Sequence, residues 1–311
     1  MGLKQRQYSK VKPLSRWVAL VLLVVTGLTG CGVPGGGDQA APAKTGRVRL
    51  VATFYPIAYF AREVGSDRVE VVTLVPTGVE PHEWEPSPRQ LLSLRETDVF
   101  VYNGAGLEPW ASRMVEGANN QRLVVIETSD GLELLPADPH VWLDPVLAQG
   151  QVARIVEGLI AADPQGEPVY RANGEALTRR LQELDEKYRQ ALAGSEGAKI
   201  FTSHSAFSYL ARRYSLRQVP VMGLSPEAEP SPAQMAQLVR LAREEGAKYI
   251  FFESLTSPRL AETLAGEVGA ETLVLNPIEG LTPDEVSRGE DYFTLMEQNL
   301  ANLLKAVEQK P

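Results

Sequence analysis

The sequence predicts an α/β chain of two lobes, each built on a parallel sheet, joined by one long rigid helix. Three features of the 311 residues predict it. Short β-branched runs alternate with helical stretches, which is the rhythm of parallel βαβ units. That rhythm occurs twice. Between the two occurrences lies a single uninterrupted helical pattern over residues 167–193. The composition, 44% hydrophobic and 23% charged, excludes wholesale disorder, collagen-like repeats and a long coiled coil. The length suits about two domains of ~150 residues each.

The first strand candidate is 48–52 (Val-Arg-Leu-Val-Ala), alternating and β-branched, and 55–64 can be helical after Pro56. Further strands fall at 69–75, 98–102 and 123–127, with short helices around 89–94 and 109–117. The second half gives strands at 199–202, 217–221, 249–253 and 271–275. Its helices are 206–214, 231–245, 258–268 and a closing 292–308. In the segment between, Leu177, Leu181, Leu184, Tyr188 and Leu192 recur at helical spacing on one face. Asp163-Pro164 is a start signal and Gly194 a stop. At 1.5 Å per residue such a helix is ~40 Å long, enough to run down a domain pair. A helix of that kind opposes hinge closure more than paired loops would; the bland alternative is a surface helix of one lobe. The expected division is 47–165 for the first Rossmann-like lobe, 166–194 for the connecting helix and 195–311 for the second lobe.

The N-terminus has the character of an address. Five basic residues and no acid occupy the first thirty positions, and 17–28 (WVALVLLVVTGL) is an apolar run. It is shorter than the ~20 residues a spanning helix needs and fits the core of a secretory signal, residues 1–30. Leu28-Thr29-Gly30-Cys31 follows and resembles a bacterial lipobox, in which Cys31 would carry a diacylglycerol. The alternative is an uncleaved anchor with an incidental cysteine. Cys31 is the chain's only cysteine, so no disulfide can form within one molecule. Residues 31–46, rich in Gly, Pro and Ala, form a flexible tether. The expected product is an extracytoplasmic monomer held on a bacterial membrane by its lipid. Without the leader the charge is 26 basic against 39 acidic residues, or −13, and no basic stripe remains for nucleic acid.

The chain has three histidines, His82, His140 and His204. Each lies in a polar or Pro-rich turn at the carboxyl end of an expected strand, where open α/β sheets bind ligands. A lone histidine in a turn is usually a surface or capping residue; three in equivalent positions point to one cleft. Convergent imidazoles suit a borderline cation such as Zn²⁺, with an oxygen completing four-coordination. Candidates for that oxygen are Glu253 and Glu279, with Asp284 weaker. Glu80, Glu83 and Glu85 flank His82 in a run that is more often solvated. Asp144 suits an acceptor for an imidazole N–H, or a helix cap.

The stretches GVEPHEWEPSP, DPHVWLDP and TSHSAFSYLARRY resemble, in order, the metal-site motifs of the zinc/manganese solute-binding proteins of ABC importers, the cluster A-I receptors. The resemblance runs from Val48 to about Glu308 and includes the lipobox. It implies two α/β lobes on a rigid helix with metal between them, and His82, His140 and His204 as nitrogen ligands. One branch of the family places an Asp ligand where this chain has Asn276. LNPIEGL resembles another branch that uses a Glu, so Glu279 is the expected fourth ligand. Manganese members often carry a Glu where His204 stands, and a third imidazole favours Zn²⁺ over Mn²⁺.

The expected function is therefore an extracytoplasmic receptor of an ABC importer that captures Zn²⁺ and delivers it to the permease subunits. Its alternatives are a manganese receptor of the same family, a metal-bearing surface adhesin and a zinc hydrolase. Against the hydrolase, the chain has no His-Glu-x-x-His, and a carboxylate in the fourth position leaves no activated water. On this reading His204→Ala costs at least ~tenfold in zinc affinity, while Glu253→Gln is nearly silent.

Overall fold

The computed structural model of the protein describes residues 46–224 and 230–307. The expected signal segment 1–30, Cys31 and all but the last residue of the expected tether lie outside the described residues. No described helix is long and apolar enough to cross a membrane.

The first lobe runs β1 (Val48–Ala52), α1 (Tyr55–Gly65), β2 (Val69–Thr73), α2 (Pro88–Leu91), β3 (Val99–Tyr102), α3 (Ala111–Ala118) and β4 (Val124–Glu127). Two helices follow, α4 (Pro145–Ala162) and α5 (Glu167–Ala191). The second half holds β5 (Lys199–Thr202), α6 (Ser208–Arg213), β6 (Arg217–Pro220), α7 (Pro232–Glu244), β7 (Tyr249–Phe252), α8 (Arg259–Val268), β8 (Glu271–Val274), α9 (Pro283–Ser287) and α10 (Tyr292–Val307). Both sheets are wholly parallel and share one order, β2-β1-β3-β4 and β6-β5-β7-β8. In the first, Leu50 stands opposite both Val71 and Val99; in the second, Phe201 stands opposite Val219 and Ile250. Each order reverses direction beside its central strand, leaving a crevice between β1 and β3 and another between β5 and β7.

The largest departure from the sequence reading is α4, an 18-residue helix where none was expected. Its first turn does carry helix signals, Asp144 as cap and Pro145 behind it. Its buried face is Ala148, Gln151, Val152, Ile155, Val156 and Leu159. Gln151 on that face and two glycines blur the apolar period. Gly158 has a packing reason, since a β-carbon there would collide with the Ile126 side chain of β4. The expected helix at 89–94 is instead a four-residue α2 followed by a 3-10 turn, Ser93–Glu96. β2 ends at Thr73, two residues early.

The long helix α5 starts at Glu167, after a 3-10 turn at Pro164–Gly166, and ends at Ala191. It buries the anticipated face, with Tyr170, Leu177, Leu181, Leu184 and Tyr188. Asn173 donates to the Val64 carbonyl of α1 (3.0 Å), and near its other end Tyr188 donates to the Met296 carbonyl of α10 (2.6 Å). It therefore bridges the two halves rather than coating one of them. One apolar core is continuous through both halves and includes Phe60, Trp142, Tyr188, Leu210 and Tyr292. Phe54 meets Trp142 edge-on at 4.9 Å, and Phe60 meets Tyr292 at 5.0 Å. Fully burying one such side chain is worth roughly 1.5–3 kcal/mol, so parting the halves would forfeit several such terms.

Candidate metal centre

Because all strands of a sheet run parallel, the loops leaving their carboxyl ends gather on one side. His82 lies on the loop after β2, and His140 on the loop between β4 and α4. His204 lies two residues past β5, and Glu279 five past β8. Among the described residues these four form the one group able to hold a metal, their donor atoms all within 4.8 Å of one another. His140 Nε2 is 3.1 Å from His82 Nε2 and 3.3 Å from His204 Nε2. Glu279 Oε1 is 3.1 Å from His82 Nε2, 3.1 Å from His140 Nε2 and 3.7 Å from His204 Nε2. A tetrahedron of ligands at the ~2.0–2.1 Å bond lengths of zinc has edges of roughly 3.3 Å. The five measured edges bracket that value.

His140, His204 and Glu279 are buried, while the His82 side chain keeps 11% of its surface exposed and is the side that meets solvent. Two of the imidazoles are backed by a carboxylate that also accepts the residue's own backbone N–H. Asp138 Oδ1 accepts both the backbone N–H of His140 (3.0 Å) and its Nδ1–H (2.8 Å). Glu253 Oε1 accepts the backbone N–H of His204 (3.1 Å) and lies 2.6 Å from its Nδ1. A proton kept on Nδ1 leaves the Nε2 lone pair free to face the centre. The charges are strongly coupled. Burial works against a charged His204, yet Glu253 and Glu279 override it and push its pKa up to about 10. His140 is likewise raised, burial being outweighed by Asp138 and Glu279. Burial would raise Glu279 too, but contacts from His140, His204 and His82 hold it well below the usual carboxylate range.

Several expectations change on this geometry. Asp144 touches no imidazole among the described residues. Its carboxylate accepts the N–H groups of Val146 (2.9 Å) and Leu147 (3.4 Å) as the cap of α4, and pairs with Arg213 at 2.9 Å. The acceptor role belongs to Asp138, whose signal in the sequence was the Asp-Pro-His spacing of an Asx turn. Glu253 lies behind His204, not beside the other candidate ligands, so silence on its replacement is no longer expected. Asn276 spends its side chain on the Ile278 N–H (2.8 Å) and on Glu285 (2.8 Å), and Asp284 is exposed on α9. Glu80 is half-buried, accepting the N–H of His82 at 3.0 Å; burial and the Glu279 charge raise its pKa. Glu83 and Glu85 are exposed.

The crevice between β1 and β3 is filled by the protein itself. Glu108 is buried there, accepting from the Thr53 hydroxyl (2.6 Å) and the N–H groups of Asn103 (2.9 Å) and Gly104 (3.0 Å). Burial, against those hydrogen bonds, pushes its pKa up to about 7. Glu253 and His204 occupy the matching crevice of the second sheet.

The family described as "Zinc-uptake complex component A periplasmic" (ZnuA) matches residues 50–306. The chain is 38% identical over 280 residues to the high-affinity zinc uptake system protein ZnuA of Bacillus subtilis, covering 84% of this chain and 88% of that protein. It is 36% identical over 284 residues to the zinc-binding lipoprotein AdcA of Streptococcus pneumoniae, covering 85% of this chain and 57% of that longer protein. In three dimensions it is similar to the Zn(II)-bound ZnuA-like domain of that AdcA, with a TM-score of 0.77 at 38% identity over 85% of this chain and all of that domain. It is also similar to the laminin-binding protein Lmb of Streptococcus agalactiae, described as bifunctional in adhesion and metal transport. There the TM-score is 0.77 at 31% identity, over 84% of this chain and 99% of Lmb.

Proposed function

From the premise that this chain belongs to the ZnuA family of zinc-uptake components, we propose that it is the extracytoplasmic receptor of an ABC importer, capturing Zn²⁺ between its lobes and passing it to the permease. The observation that carries this reading is the convergence of three imidazole Nε2 atoms and one carboxylate oxygen at tetrahedral spacing. His82, His140, His204 and Glu279 are the ligands. Three nitrogens and one oxygen suit zinc, whereas Mn²⁺ suits oxygen-rich, six-coordinate sites. Glu279 offsets one of the two positive charges, and Asp138 and Glu253 lie one imidazole further out.

With Glu279 in the fourth position that a catalytic zinc leaves to water, the arrangement favours a receptor over a hydrolase. Delivery requires a folded metal-free form, which the continuous core supports. A lipid on Cys31 would hold the monomer at the membrane, with residues 31–46 as its tether and the permease within reach. The test is a competition of Zn²⁺ against Mn²⁺ on the metal-stripped protein, with bound metal measured by elemental analysis and folding by circular dichroism. One Zn²⁺ bound in strong preference is the expected result. A preference for Mn²⁺ keeps a receptor but overturns the choice of metal, and no stoichiometric metal sinks the receptor.

A further inference from the structure

The turn that carries Glu279 contains Ile278, buried, with φ at +57°. Of the described non-glycine residues with positive φ, Ile278 alone is β-branched. A branched Cβ disfavours that region, and such a conformation persists only where its surroundings dictate it. Here they do so from four elements. Leu275 donates to the Phe252 carbonyl of β7 (2.9 Å). The N–H and carbonyl of Asn276 both pair with the Asn299 amide of α10, each at 2.7 Å. The Trp142 indole N–H, arriving from the loop of His140, donates to the Pro277 carbonyl (2.7 Å). Asn276 Oδ1 then accepts the N–H of Ile278 itself (2.8 Å). Beyond Glu279, the Leu281 carbonyl accepts from Gly78 on the loop of His82 (2.9 Å).

We propose that Trp142, Asn276 and Asn299 are positioning residues that clamp this turn, preset the Glu279 oxygen and thereby make the centre selective for a small four-coordinate dication. The proposal rests on the receptor reading. None of the three touches the cation; each acts on the backbone of residues 276–278, just before Glu279. The indole also packs beside His140, with ring centroids 5.3 Å apart, so one side chain spaces two ligands from different loops. A larger cation needs longer bonds and more oxygens. To supply them Glu279 must retreat, or rotate its second oxygen, Oε2, into the centre, where among the described residues Oε2 has no partner. The clamp opposes both movements by fixing the backbone from which the Glu279 side chain hangs, so that any adjustment is left to the side-chain torsions alone. Where a related branch is expected to use an Asp ligand, Asn276 serves here as the turn's own acceptor.

The test uses Trp142→Phe, which keeps a ring but deletes the donor, and Asn299→Asp, which keeps the acceptor but deletes the other half of the pair. Zn²⁺ and Mn²⁺ are competed on each variant and on the unaltered protein, and each is also loaded with Co²⁺ for visible spectroscopy. The expected result is one Zn²⁺ still bound by the variants, with the preference over Mn²⁺ reduced at least ~tenfold. Their Co²⁺ bands should weaken relative to the strong bands of a four-coordinate site. An unchanged preference in either variant that retains the native circular dichroism spectrum overturns the clamp. A weak, six-coordinate Co²⁺ spectrum from the unaltered protein overturns it without any variant. Failure of the unaltered protein to bind Zn²⁺ would instead remove the receptor reading, and the clamp with it.

Discussion

Asp138 and Glu253 perform one task on the two lobes, each fixing the backbone and ring of a histidine with a single oxygen. Losing such an acceptor frees the ring to turn and lets the proton move to the coordinating nitrogen. Glu253→Gln keeps an amide oxygen but loses the charge that holds the proton on Nδ1, and is expected to weaken zinc binding ~10–100-fold, read by competition titration; an affinity equal to the unaltered protein's would remove Glu253 from that task. Protons offer a second residue-scale check. In the metal-free protein His204 keeps its proton up to about pH 10, yet a cation requires the neutral ring. Zinc affinity should then rise with pH toward 10 and fall steadily as the solution is acidified. Calorimetry in buffers of different ionisation enthalpy should find protons released on binding at neutral pH, and none released would contradict the raised value. For the metal-free fold the sign is reversed. A raised histidine stabilises fully below its ordinary value of 6.5, and that contribution is lost as pH climbs through about 10.

Among the elements, α4 and α5 pack side by side and differ in how readable they were. In α5, leucines and tyrosines repeat without a break, so the period alone disclosed it. In α4, Gln151 is buried because it donates to Asn103 and Thr128 (both 2.9 Å), a cross-element need that no local pattern announces. Asp144 belongs to this scale, since it starts α4 and pairs with Arg213 of α6. Asp144→Ala should cost about 1–3 kcal/mol in urea unfolding, from the lost cap and the guanidinium left alone. Zinc affinity should stay as it was. A loss of affinity at unchanged stability would mean that Asp144 acts on the metal after all.

For the whole molecule, the continuous core and the helix across both halves oppose large lobe rotation. Trp142 makes the point locally, for Tyr292 of α10 donates to its carbonyl (2.6 Å) while its own N–H reaches Pro277. Small-angle scattering curves of the metal-free and zinc-loaded protein should superimpose. A clear contraction on loading would show a hinge that this core does not allow for. Capture would then depend on the loop of His82, the one candidate ligand with an exposed edge.

The sequence by itself determined the two parallel sheets, the joining helix, the three histidines and Glu279 as candidates. The sheets, the helix and the histidines follow from local periods and from the rule that parallel strands deliver ligands at their carboxyl ends, whereas the choice of Glu279 over Glu253 and Asp284 rests on the family resemblance. It did not disclose that Asp138 would back His140, which of its two offered roles Asp144 would take, or that Trp142 and Asn299 would hold the Glu279 turn. Such roles depend on distances between residues as far apart as the 135 positions from Trp142 to Pro277. Only the packed core brings those groups together, because a hydrogen bond is decided by separation in space and a motif records separation along the chain.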